Sequence, residues 1–599
     1  MTNLYAHLLR QTGRILLGAA LLAGFSAPTQ AETQKSKKKA TAPVFLDFTY
    51  EGQDRVYQQN PLNEGEFYNM PILQGCYPDP SICRKGEDYY LINSSFAMFP
   101  GVPIFTSKDL VNWRQVGHVL DRPSQLKTEN CGISAGIYAP TIRYNKYNDT
   151  FYMITTQICG GIGNMVVKTK DPAKGWSDPI KLDFAGIDPD LFFDEDGKAY
   201  LLHNDGPDKG KELYNGHRVI KMWDYDVEKD CVVPGTDRII VDGGTDITKK
   251  PIWIEGPHLY KYRGAYYLMC AQGGTGGNHT EVIFKAESLK GPFVPAANNP
   301  ILTQMFYRGK RPFRVDWAGH ADLVDTPDGR FYGVFLAIRP NEKEVVNTGR
   351  ETYLLPVDWT GEWPVFQNGL VPFEPKLKLP AGVTFQGGQD GFLPNGNFIF
   401  KTDFLADYSA DKALDARWIS MRGPREAFIA PAKKGGLQIN PLAEDITARR
   451  PISALLIRQQ HACFTAETSL RYVPKNEGEI AGLTCYQAEF CNFVLGLTKK
   501  DGAVCMVLQK VADPKTKDKK QAQAEVVASV ELTKEQVKAL AKQPLRLQVV
   551  ARDCDYAFSY ALPGQEAFTQ LGETQNGEIL STNFAGGFTG SLLGIYARQ

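Results

Sequence analysis

One short phrase recurs five times in this chain and constrains its fold more than any other feature. The first copy is Asp79-Pro80-Ser81-Ile82, followed by a polar turn and the Tyr-rich return Asp88-Tyr89-Tyr90-Leu91. The others open at Ala139-Pro140-Thr141-Ile142, Asp188-Pro189-Asp190-Leu191, Glu255-Gly256-Pro257-His258 and His320-Ala321-Asp322-Leu323. Each copy reads as a β-hairpin, with Gly, Asp or Asn in the turn and β-branched or aromatic residues in the strands. Successive copies start about 50 to 67 residues apart, the length of one four-stranded propeller blade with generous loops. Five blades close a ring, and the innermost strand of each lines the axis. Taken at equal repeat positions, Asp79, Ala139 (after Tyr138), Asp188, Glu255 and His320 converge there. Three carboxyls and a histidine would then share one pocket. Blade packing alone does not call for acids at an axis, because carboxylates are seldom buried without a partner or a task.

The chain has 599 residues, too many for a single core. Lysine plus arginine equals aspartate plus glutamate at 67 each, so charge gives no reason to propose nucleic acid or an anionic membrane as partner. Residues 1–31 read as a signal peptide. Arg10 and Arg14 precede an apolar run over 15–25, and Ala27-Pro28-Thr29-Gln30-Ala31 offers a cleavage site. The run is too short to span a bilayer. The mature protein is therefore expected to be exported, to a bacterial periplasm or beyond. Residues 32–65 form a linker and lead-in. Its Lys-rich start is a tether, and 43–65 is expected to supply the strand that closes the ring. The propeller occupies 66–385. A Gly- and Asn-rich loop follows, and short strands without the blade phrase then predict a β-sandwich over 398–599. The fold class is thus all-β. The sandwich should hold one short helix, over 533–542, because Thr533 can cap it. The Lys-dense stretch 513–520 reads as a solvated hairpin loop. The eleven cysteines contain no CxxC pair, which argues against zinc. An odd count leaves at least one thiol free, and most read as small buried hydrophobes.

Six motifs in order resemble glycoside hydrolase family 43. They are Gly75-Cys76-Tyr77-Pro78-Asp79-Pro80, Phe105-Thr106-Ser107-Lys108-Asp109-Leu110, Ile187-Asp188-Pro189-Asp190, Ile254-Glu255-Gly256-Pro257-His258, Gly319-His320-Ala321-Asp322 and Gly349-Arg350-Glu351-Thr352. The segment around Trp418 and Arg422 is similar, more loosely, to the concanavalin-A-like sandwich of that family's β-xylosidases. The resemblance implies a five-bladed propeller that hydrolyses glycosides with inversion, without a required cofactor. Asp79 would be the general base, Glu255 the general acid and Asp188 the residue that orients and tunes the acid. An inverting enzyme needs such a division, with its two working carboxyls about 6.5–9.5 Å apart to admit water. The resemblance also implies that Phe96 walls the terminal-sugar pocket and that Arg350 reaches a substrate hydroxyl or a catalytic acid. Tyr138 stands where many relatives carry Trp, which leaves the sugar open. His320 has two roles to choose between: a place beneath the substrate, in some relatives with a calcium ion and its waters, or a structural histidine of the channel.

The expected activity is removal of terminal β-D-xylosyl or α-L-arabinofuranosyl units from plant cell-wall material such as xylan, arabinoxylan or arabinan. An endo-acting arabinan hydrolase on the same fold is the alternative. A non-catalytic carbohydrate-binding propeller is disfavoured because all three acids are present.

Overall fold

A computed structural model describes residues 41–63, 65–514 and 522–599. The expected signal peptide, the Lys-rich start of the tether and most of the 513–520 loop lie outside the described residues.

Five antiparallel sheets follow one another along the chain between Ser81 and Phe366, each of four or five strands. Their innermost strands are Ser81–Lys85, Ile137–Asn145, Ile187–Phe193, Glu255–Tyr262 and Asp316–Asp325. Each packs beside the next, and the fifth returns to the first, so the ring is closed. Within a blade, alternate residues face the two neighbouring blades, which buries whole strands such as Thr150–Gln157.

One repeat position has a fixed backbone. Asp79, Ala139, Asp188, Gly256 and His320 all adopt positive φ, at 51°, 27°, 55°, 55° and 55°. A register shift in blades two to five follows the same residue. A bulge of this kind bends the strand and re-aims a side chain toward the axis. In the fourth blade the equivalent residue is Gly256. The alignment that put Glu255 at this position is off by one, and Glu255 enters the pocket from the residue before the bulge. A glycine fits here for a second reason: a Cβ on Gly256 would lie 2.8 Å from Nε2 of His320.

The ring is not closed by the segment expected to do so. Val44–Gly52 pairs with Cys463–Arg471 on one side and with Ile399–Asp403 on the other, and is therefore a central strand of the sandwich. Its alternating apolar residues Phe45, Phe48 and Tyr50 enter that core. Closure falls instead to the stretch before Asp79. Ile72 N–H donates to Thr352 O at 2.9 Å, Tyr77 N–H to Arg350 O at 3.0 Å, and Gly75 N–H to the Glu351 carboxylate at 2.9 Å.

The sandwich has two sheets. One runs from Ile429–Pro431 through Val44–Gly52 and Cys463–Arg471 to Asp555–Ala561. The other has six strands, from Ala454–Arg458 to Glu525–Glu531. Helix Lys534–Leu540 forms as expected, with the Thr533 hydroxyl accepting from Gln536 N–H and Gln536 returning the bond in a capping box. Two other short α-helices, Arg55–Gln59 and Thr582–Ala585, were not foreseen. The propeller and sandwich share more than a hinge. Ser420–Met421 pairs with Met98–Phe99 of the first blade. The wholly buried Arg422 donates to Cys131 O in the propeller at 2.7 Å and pairs with Glu489 at 2.7 Å.

Candidate active site

The three acids meet at the axis. Asp79 and Asp188 are each 6% exposed. Nη1 of Arg350 donates to Asp79 Oδ1 at 2.8 Å. Gly256 N–H donates to Asp188 Oδ2 at 3.3 Å, which ties the second acid to the residue beside the third.

The electrostatics divide them. Burial, the largest single influence, pushes Asp79 upward, but the Arg350 guanidinium, His320 and the Ser94 hydroxyl together outweigh it and hold the carboxyl below the ordinary aspartate range. Burial raises Glu255 to about 8, and the Asp188 and Asp79 carboxyls add to the shift. Burial and then Asp79 bring Asp188 to about 7. Some of the Glu255 surface reaches solvent, yet its carboxyl is enclosed enough that burial is the leading cause of its shift. Asp188 and Glu255 therefore titrate as a coupled pair near neutrality, while Asp79 is ionised throughout. Arg218 opposes the upward shift of both. Its Nε donates to Asn204 at 2.7 Å and its guanidinium lies over the Trp253 ring at 4.8 Å.

The other expected residues surround this centre. Arg350 lies over two rings, Phe96 at 5.9 Å and Phe588 at 5.4 Å. Phe96 is only 1% exposed, so it is a wall and offers little surface of its own. Tyr138 is half-buried, meets Phe96 edge-on at 5.7 Å, and its hydroxyl donates to Ser134 O at 2.8 Å. His320 Nδ1 stands 3.9 Å from Asp79 Oδ1, beyond hydrogen-bond length. Burial lowers its pKa to about 4, so the ring is neutral. Calcium takes about six to eight oxygen ligands. Around His320 stand Gly256, the His258 and His279 rings, the Asp79 carboxylate held by Arg350 and the Glu281 carboxylate that accepts from Ala321 N–H. Among the described residues no group of three or more His, Cys, Asp or Glu could hold a metal ion, so a calcium ion here would be held chiefly by water.

Two features escaped sequence reasoning. Phe588 comes from the sandwich and completes the aromatic wall, 6.3 Å from Phe96 and 5.8 Å from Tyr138. Its backbone N–H donates to Ser134 Oγ at 2.9 Å. A Cβ on the preceding Gly587 would sit 2.3 Å from that same oxygen, so only glycine lets the loop approach. The second feature is a polar layer two residues further along the inner strands, at Ser81, Asp190, His258 and Asp322. Arg143 spans it, donating to Asp190 Oδ2 at 3.0 Å and to Asp322 Oδ2 at 2.7 Å. Ser81 and Tyr260 also donate to Asp322, each at 2.7 Å. Asp322 is buried, yet Arg143 holds it far below the ordinary range. This layer, tied together by Arg143 but with the buried His258 Nε2 lacking a partner among the described residues, supports the floor beneath the acids. The repeated phrase signalled it through Asp190 and Asp322.

Residues 68–364 match the family model described as Glycosyl hydrolases family 43, and residues 406–599 match the Beta xylosidase C-terminal Concanavalin A-like domain. A xylosidase/arabinosidase of Butyrivibrio fibrisolvens is 39% identical over 72% of this chain and 80% of its own. A non-reducing end alpha-L-arabinofuranosidase of Bacteroides ovatus is 33% identical over 88% of this chain and 91% of its own. The crystal structure of a GH43_12 protein retrieved from capybara gut metagenome superposes with a TM-score of 0.87 at 57% identity, covering 93% of this chain and 100% of that one.

Proposed function

Because the chain belongs to glycosyl hydrolases family 43, we propose that it releases terminal β-D-xylosyl or α-L-arabinofuranosyl units from xylan-derived oligosaccharides, with inversion. The opposite settings of Asp79 and Glu255 carry this assignment. Asp79, kept ionised by Arg350, is the general base that takes a proton from the attacking water. Glu255, kept protonated into the neutral range, is the general acid that protonates the leaving oxygen. Asp188 holds the backbone beside Glu255 and raises its pKa. Arg350 fixes the base and faces the substrate alongside Phe96 and Phe588.

An exo mode is favoured by Phe588, which brings the sandwich against one side of the axial pocket. The names of the Butyrivibrio and Bacteroides relatives favour the two sugars. Hydrolysis of 4-nitrophenyl β-D-xyloside and α-L-arabinofuranoside tests the proposal. Release of nitrophenol from at least one, with single sugars as the products from oligosaccharides, is expected. Cleavage of linear arabinan into oligosaccharides, with neither aryl glycoside turned over, would favour the endo alternative.

Export belongs to the same proposal. It is supported by the apolar run over 15–25 and by a disulfide between Cys131 and Cys159, a bond typical of oxidising compartments. N-terminal sequencing of protein recovered outside the cytoplasm should begin just after Ala31.

A further inference from the structure

Arg218 is fixed beside the general acid, yet most of its hydrogen-bonding capacity is unused. It stands just before the strand Val219–Asp226 of the third blade. Its Nε donates to Oδ1 of the buried Asn204 at 2.7 Å, and Asn204 is paired in the sheet with Ile187, the residue before Asp188. Its guanidinium rests on the Trp253 ring at 4.8 Å. Trp253 lies two residues before Glu255, at a φ of 51°, and its backbone N–H donates to Gly216 O at 2.9 Å. That bond ties the entry to the acid's strand to the loop before Arg218. A planar group held at Nε and along one face keeps its remaining donors in a set direction.

Those donors are the two amino groups. Nη1 and Nη2 have no acceptor among the described residues. They are not sealed either: Nε of Arg350 and Nη1 of Arg458 are buried without a partner, whereas neither Nη of Arg218 is. No carboxylate forms an ion pair with Arg218 among the described residues. Asp205, the acid that acts on it most strongly, is taken by Lys221 at 2.8 Å.

Two arginines thus bracket the axial pocket. Arg350 holds the base. Arg218 is the strongest cationic influence on both Asp188 and Glu255, and is absent from the leading influences on Asp79. The acid protonates the leaving oxygen, so open N–H groups on its side meet the part of the substrate that departs. Hydroxyl and ring oxygens of a sugar are acceptors of the right kind. An anionic leaving group is disfavoured, because Asp205, Glu255 and Asp188 are the acids around the guanidinium.

We propose that Arg218 recognises the sugar of the leaving group, donating through Nη1 and Nη2 to its oxygens while Asn204 and Trp253 hold the guanidinium in place. The assignment rests on the reading of Glu255 as the acid of a glycoside hydrolase. It makes the enzyme favour a saccharide over a simple alcohol as the leaving group.

Two substrates that differ only in the leaving group test this: 1,4-β-xylobiose and methyl β-D-xyloside, or 1,5-α-L-arabinobiose and methyl α-L-arabinofuranoside if arabinose is the sugar released. Both members of a pair expel an alkoxide and need the acid alike. Any effect of Arg218 on Glu255 therefore cancels in the ratio of their kcat/KM values. In Arg218→Met the ratio of disaccharide to methyl glycoside should fall about 10- to 100-fold, the worth of a lost hydrogen bond from a charged donor. Arg218→Lys, which keeps the charge but not the fork, should lower the ratio in the same direction, and it carries the test if melting curves show the Met variant unfolded. An unchanged ratio in an active, folded variant overturns the role of Arg218 and keeps the proposed function; a basic limb of the pH profile moved equally on both substrates would then show that Arg218 acts only through Glu255. A wild-type enzyme inactive on both pairs overturns the proposed function, and this inference with it.

Discussion

Replacing Glu255 by alanine should cost most where the leaving group most needs a proton. A pKa of about 8 leaves the carboxyl about 99% protonated at pH 6, against about 3% for an ordinary glutamic acid. The pocket thus supplies a donor that water of that pH does not. General acid catalysis is worth about 10²–10⁴ in rate. Xylobiose hydrolysis at pH 6 should therefore fall by about that factor in Glu255→Ala. On 4-nitrophenyl glycosides, whose phenolate departs with little help, most of the loss should disappear. Asp79→Ala should behave differently, with equal losses on both substrates, because water must be activated in each. Initial rates by sugar chromatography and nitrophenol absorbance give the comparison. Equal losses for Glu255→Ala on the two substrates would refute its role as the acid. A leaving-group dependence appearing in Asp79→Ala instead would mean that the two roles are exchanged.

The arginine beside the base has its own signature. An opposite charge in direct contact lowers a carboxyl pKa by about 1–3 units, so Arg350→Gln should raise that of Asp79. The base must be ionised to work, so the acidic limb of kcat/KM should move to higher pH by about that much; an unmoved limb would separate Arg350 from the base. Phe588→Ala should lower kcat/KM about 2- to 10-fold, as expected for one lost aromatic contact, with little change in Tm. An unchanged kcat/KM would remove the sandwich from the pocket. Arg422→Ala leaves Glu489 paired with Arg449 but strips the buried Cys131 O of its Arg422 donor in the domain interface, and should cost about 1–3 kcal/mol in denaturant unfolding; a loss below about 1 kcal/mol would make that contact an exposed one in effect.

Much of the site was legible because the propeller writes it into a repeat. Asp79 and Asp188 occupy the one residue per blade whose positive φ opens the inner strand, and the Pro that follows it in four of the five blades marks it. Glu255 was found for a partly mistaken reason: the residue at its supposed position is Gly256, and the acid reaches in from one place earlier. Val44–Gly52 was legible as a strand but not as a sandwich strand, since alternation states which face is buried and not which sheet buries it. Phe588 left no signal either. It meets Phe96 and Tyr138 across more than four hundred residues of chain, and only the Gly586-Gly587 pair before it hinted at a close approach. Arg218 was missed for the same reason, as it sits on the third blade and acts on an acid of the fourth.

The central claim is that water, activated by Asp79, attacks the face opposite the departing group. Proton NMR during the first minutes of wild-type turnover tests it directly, before the released sugar mutarotates. With a β-D-xyloside as substrate, the α anomer of xylose should appear first and the β anomer only as mutarotation proceeds. A first-formed β anomer would show retention, and would contradict the assignment of Asp79 as a base acting through water.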